Sequence, residues 1–173
     1  MSRMNAREKV VPIPIRNHIE NYGDPYVLRM KPEEVAICRE CKAVFACGRW
    51  QLHEQAADEL KKAEKVVEIT CPACRKIHDR QPGGIVNLSG EFLRAHETEI
   101  VNLINHENHE AMGINPLERI MDIEKSDSGL TVYTTNEKLA QKIGRSVHNA
   151  YSGDVEYKWS EDTRLVRVNW YRR

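Results

Sequence analysis

The sequence contains no run of eighteen apolar residues, so no segment has the length and hydropathy of a transmembrane helix. Its opening residues, MSRMNAREKVVPIPIRN, lack an apolar core followed by a small-residue cleavage site, so a secretory signal is not expected. An excess of charge of either sign is also missing: 26 Lys and Arg balance 26 Asp and Glu, which argues against a generic polycation and leaves room for a local basic face. Aromatic residues make up 6%, with only two Phe. The 173 residues suffice for one ordinary domain or two small ones, and the shortage of large rings argues against a single large core. No Gly-rich Walker loop and no GxSxG elbow occur, and Gly144-Arg145-Ser146 falls inside a helical pattern. No two carboxylates stand out as an acid/base couple, and the expectation is a protein that is not an enzyme.

What the sequence does have is cysteine in one place. Cys38, Cys41, Cys47, Cys71 and Cys74 all fall between positions 38 and 74, and four of them form two CxxC pairs with 29 residues between. A CxxC loop can turn two sulfurs toward one ion, and two such loops supply four thiolates at the corners of a tetrahedron, the arrangement of a closed structural zinc site. Cys38, Cys41, Cys71 and Cys74 are therefore the expected ligands and Zn2+ the expected cofactor, with iron–sulfur or redox use of the CxxC pairs as the rival. An odd cysteine count without a signal peptide fits a reducing compartment, hence the cytoplasm. Cys47 reads as a spare thiol or small buried residue, and His78 as a surface histidine, although either could substitute as a ligand. His106, His109, Glu107 and Glu110 (HENHE) carry metal-capable types, but a solvated acidic helix face accounts for them.

The chain divides by pattern. Residues 1–30, with Pro12, Pro14, Gly23 and Pro25, read as an extended or disordered arm, a candidate for docking on a partner. Residues 31–112 read as a zinc-ribbon or treble-clef-like module: strand, CREC knuckle, strand, a helix of about three turns over 52–65, then strand, CPAC knuckle and strand. The module closes with a Gly83-Gly84 turn, a strand IVNL, and a long helix begun by Ser89 and stopped near Gly113, with Phe92, Leu93, Ile100, Leu103 and Ile104 as its apolar stripe. Residues 113–173 read as a small β-β-α-β-β domain, its helix capped by Asn136 and striped by Leu139, Ile143, Val147 and Ala150. Val155, Tyr157 and Trp159 alternate with one another, as do Val166, Val168 and Trp170, and the core is the expected place for both sets. The fold class is α+β.

Around the knuckles stand Arg39, Lys42, Arg49, Trp50, Arg75, Lys76, His78 and Arg80. Residues 38–82 hold nine basic and seven acidic side chains, with most of the acids in the 52–68 stretch, so the knuckle tips are net positive. Four thiolates on a divalent cation carry a net charge of about −2, so part of this basicity could simply balance the metal site. The alternative is contact with phosphates, with Trp50 and His78 as stacking surfaces. Arg164, Arg167, Arg172 and Arg173, with Lys138, Lys142 and Arg145, are a second basic candidate.

The residues CREC…FACGRW, CPACRKIHDRQPGGIVNLSGEFL and PLERIMDIE…TTNEKLAQKIGRSVHNAYSG resemble an uncharacterised bacterial zinc-ribbon family over most of 36–172. That family in turn is similar to the zinc-binding N-terminal region of the archaeal and eukaryotic nonsense-mediated-decay-three proteins, adaptors for export of the large ribosomal subunit. Those adaptors carry more CxxC pairs than the two found here. The resemblance implies zinc on Cys38, Cys41, Cys71 and Cys74 and binding to the ribosome. The resulting expectation is a non-enzymatic, zinc-stabilised RNA- or ribosome-binding protein, with RNA or a ribosomal subunit as partner and no membrane. The other reading is a zinc-ribbon protein–protein adaptor that makes no nucleic-acid contact.

Overall fold

The computed structural model describes residues 24–173. The expectation of an extended arm over 1–30 falls mostly outside the described residues. Its described end, however, is docked. Tyr26 lies against the second CxxC segment, with its hydroxyl donating to Asp79 Oδ2 at 2.8 Å and its ring below Arg75 and Lys76.

The architecture is mixed α+β, with two mixed sheets and four helices. The smaller sheet is built from β1 (Ala36–Cys38), β2 (Val44–Ala46), β3 (Arg49–Gln51) and β4 (Val67–Ile69), in the order β3-β2-β1-β4. Only β1 and β4 are parallel. Two short helices go with it: α1 (Ala57–Lys62) and α2 (Pro72–His78). The three-turn helix expected over 52–65 shrinks to the six residues of α1, because 53–56 close as turns and Ala56 offers no side-chain cap. The strand expected after CPAC is instead helix α2. Pro72 occupies the first helical turn, where its missing N–H costs nothing, and Cys71 is the N-cap.

The larger sheet has the order β6-β7-β5-β9-β8, from β5 (Gly84–Ser89), β6 (Ile120–Ser126), β7 (Gly129–Thr134), β8 (Asp154–Trp159) and β9 (Val166–Tyr171). Helices α3 (Glu91–Ile114) and α4 (Glu137–Tyr151) cover one face. Residues 120–171 thus follow the β-β-α-β-β order read from the sequence, but β5 and α3, grouped there with the cysteines, complete this sheet and its core. β5 is the central strand, antiparallel to β7 and parallel to β9. Strands β5 and β6 run the same way with β7 between them, so β5-α3-β6 is a split βαβ crossover, and β7-α4-β8 interleaves with it as a second.

Period-two burial explains these strands. Val86 and Leu88, Leu130 and Val132, and Val166, Val168 and Trp170 point to the helices, where they meet Leu93, Ile100 and Ile104 of α3 and Leu139, Ile143 and Val147 of α4. Trp170 is 1% exposed and belongs to the core as expected, whereas Trp159, on edge strand β8, is 38% exposed. The edge position leaves its ring a neighbour on one side only, and it stacks on Tyr157 at 6.1 Å. Helix α3 is opened by Gly90 rather than Ser89, because φ of +110° is needed and a side chain there would strike the Arg172 carbonyl.

Candidate metal centre

The register of the smaller sheet brings the two cysteine pairs together. β1 and β4 run parallel with Cys38 opposite Ile69, so both chains leave the sheet at the same end. Cys38 ends β1, and Cys71 follows two residues after Ile69. The first knuckle then turns back: Lys42 N–H donates to the Cys38 carbonyl at 3.0 Å and Cys38 N–H to the Ala43 carbonyl at 2.8 Å, with Lys42 in the left-handed region at φ +62°. The second knuckle is the start of α2.

The sulfurs of Cys38, Cys41, Cys71 and Cys74 all lie within 4.8 Å of one another, a group that can hold a metal ion. Cys38 to Cys74 is 3.8 Å and Cys41 to Cys71 is 3.6 Å. Backbone amides already point at the sulfurs: Cys71 N–H donates to Cys38 Sγ at 3.3 Å and Cys74 N–H to Cys71 Sγ at 3.4 Å. Such donors favour the charged thiolate. The cluster is buried at three of its four residues, with Cys41 half-buried.

The sulfurs of Cys41 and Cys71 share a hydrogen bond, and this is the main reason the Cys41 thiol is lowered to about 4. The same bond, followed by burial, pushes Cys71 up. Cys74 is also raised, chiefly by burial.

A residue that sequence reasoning missed completes the site. Arg119, forty-five positions after Cys74 and just before β6, reaches back so that its Nη2 donates to Cys74 Sγ at 3.3 Å and to Cys71 Sγ at 3.6 Å. Burial alone would lower its guanidinium, but the bond to Cys74 and the charge of the sulfurs outweigh this and raise it. Two backbone bonds hold Arg119 in place: its N–H donates to Thr135 Oγ1 at 2.9 Å, and its carbonyl accepts from Thr135 N–H at 2.9 Å. Leu117 packs on the cysteine cluster alongside it. No spacing rule connects Arg119 to the CxxC pairs, so the signal was absent from the sequence.

The substitute ligands stay away. Cys47 is exposed and outside the cluster. His78 is exposed and paired with Glu40 at 2.9 Å. Among the described residues, the HENHE segment forms no metal-capable group, and Glu107 is instead paired with Lys142 at 3.0 Å.

The eight basic and aromatic candidates stand on this module, and several of them are bonded within the protein. Arg39 donates to the Glu68 carbonyl and Lys42 to the Arg39 carbonyl. Arg75 reaches the Pro25 carbonyl, and Lys76 reaches the Thr135 carbonyl at 3.2 Å and Asp24 at 3.9 Å. Trp50 is half-buried, edge-on to Phe45 at 5.7 Å and packed on the cysteine cluster. Arg49 and Arg80 are exposed. In the second basic candidate, Arg172 is drawn inward over the Phe92 ring at 3.8 Å.

No helix among the described residues is long and apolar enough to cross a membrane. No protein-family model and no curated protein matches the chain.

Proposed function

We propose that this is a non-enzymatic, zinc-stabilised RNA-binding protein of the cytoplasm that associates with a ribosomal subunit, the large one by its resemblance to the export adaptors. Zinc is favoured by the ligand set and by size. Four thiolates at about 2.3 Å from a tetrahedral ion stand about 3.8 Å apart, and the Cys38–Cys74 and Cys41–Cys71 sulfur pairs are 3.8 and 3.6 Å apart. The knuckle, hairpin and helix N-terminus that carry the sulfurs fit a treble-clef-like zinc ribbon, which precedes the long helix and the rest of the larger sheet.

The observation that carries the RNA reading is where the cations are spent. Arg119 is the cation that touches the sulfurs. Arg39, Lys42, Arg49, Arg75 and Arg80 have no carboxylate partner among the described residues; Lys76 and His78 do. The knuckle basicity is therefore not consumed by the metal site and is available to phosphates.

The test is metal analysis of purified protein together with co-sedimentation on ribosomal subunits. One zinc per chain and association that weakens as salt rises are expected. Absence from every ribosomal fraction at low salt would remove the ribosomal reading, and a protein partner that survives nuclease treatment would favour the adaptor instead.

A further inference from the structure

A cleft of about 490 Å³ lies between the cysteine module and the larger sheet, within the volume range of small-ligand sites. Its walls come from separate elements. Phe45 and Trp50 line it from β2 and β3, Leu117 and Glu118 from the segment before β6, and Glu137 and Lys138 from the first turn of α4.

Three features make it more than a seam. Arg49 and Lys138 face it from the two sheets' sides, both exposed and neither with a carboxylate partner among the described residues. Lys138 also sits in the first turn of a fifteen-residue helix, where the helix dipole opposes a cation. An anion in the cleft answers both charges. Trp50 is pinned edge-on by Phe45, so its half-buried ring is a fixed wall rather than a mobile side chain. Finally, Glu118 and Glu137 line the same cleft, also without cationic partners among the described residues. They disfavour a bare polyanion or an acidic peptide, but a carboxylate accepts readily from the exocyclic amino group of a base.

A nucleotide offers negative charge, a flat ring and an amino donor together. We infer that the cleft holds one nucleotide of a single-stranded RNA, with its phosphate between Arg49 and Lys138, its base against Trp50 and its amino group toward Glu118 or Glu137. This rests on the RNA-binding reading and moves its base-recognising contact from the knuckle tips to the cleft.

The experiment uses the zinc-loaded full chain and fluorescently labelled oligonucleotides, A12 and U12, titrated over a range of salt. The wild type is expected to prefer A12, since uracil lacks the amino group. Arg49→Gln with Lys138→Gln should weaken A12 roughly tenfold or more, abolish the preference and flatten the salt slope by about 0.7, the share of the one phosphate lost. Arg39→Gln with Lys42→Gln should weaken A12 and U12 alike. Circular dichroism of the exposed-residue variants should match the wild type. Unchanged affinity and preference in the cleft variant, with weakening only in the knuckle variant, would overturn the cleft and leave the RNA reading standing. A wild type that binds neither oligonucleotide overturns the RNA reading; movement of the Lys138 amide by adenosine monophosphate would then keep the nucleotide site for a free nucleotide, and no movement would remove it.

Discussion

Replacing Arg119 separates its electrostatic role at the sulfurs from its place in the scaffold. Arg119→Met keeps much of the aliphatic stem and, through the main chain, both bonds to Thr135. It removes the donor to Cys71 and Cys74 and the cation raised by them. Hydrogen bonds to charged groups contribute about 1.5–3 kcal/mol, and those to sulfur sit at the weak end because of their length. Outer-sphere partners of a metal site typically change affinity 10–100-fold, about 1.4–2.7 kcal/mol, and the two estimates agree. The assay is competition for zinc against a chromophoric chelator at neutral pH. Arg119→Met is expected to bind zinc 10–100 times more weakly, with Arg119→Lys between it and the wild type, since a lysine restores the charge but not the fork. Zinc affinity within twofold of wild type, together with a lowered melting temperature, would show that Arg119 only joins the module to the sheet and would refute the charge-balance argument.

Other outcomes follow from the same geometry. Cys71→Ser should lose zinc and unfold the segment around β1–β4 while the larger sheet persists, since the buried core of that sheet contains no cysteine; unchanged zinc content and unchanged amide signals for residues 36–78 would contradict the ligand assignment. Zinc should protect Cys41 from iodoacetamide, while exposed Cys47 should be modified in the zinc-loaded protein as well, as read by peptide mass spectrometry; equal labelling of the two cysteines in the zinc-loaded protein would contradict the ligand assignment. Gly84→Ala should lower the melting temperature by roughly 4–8 °C, equivalent to about 2 kcal/mol, because the new Cβ would stand 2.3 Å from Ala140 Cβ in the core. Asn136→Ala removes the acceptor for Leu139 N–H at 3.1 Å, and thermal unfolding should show a loss of about 1 kcal/mol.

Much of the fold was legible where local pattern and tertiary packing agree. Helix α4 begins at Asn136 and buries Leu139, Ile143 and Val147 as its spacing requires. Strands β7 and β9 bury alternate residues as written. Reading failed where segments are too short for periodicity to speak: α2 spans seven residues, and its Ala73 and Ile77 can be read as strand or helix unless Pro72 is weighed as a helix start. Over 52–65, helix propensity without a cap or a deep apolar face does not sustain three turns.

By itself the sequence determined that four cysteines come as two CxxC pairs, that the chain is α+β, and that basic side chains crowd the knuckles. Each is a property of neighbours within a few positions. Three things were decided only in three dimensions. The parallel pairing of β1 with β4 delivers Cys38 and Cys71 to the same end of a sheet. Strand β5 enters the centre of the larger sheet between β7 and β9. Arg119 arrives at the sulfurs from beyond a 24-residue helix. The physical reason is common to all three: strand pairing and charge compensation act through space between segments far apart in the chain, and no local period or motif records which distant partner will be there.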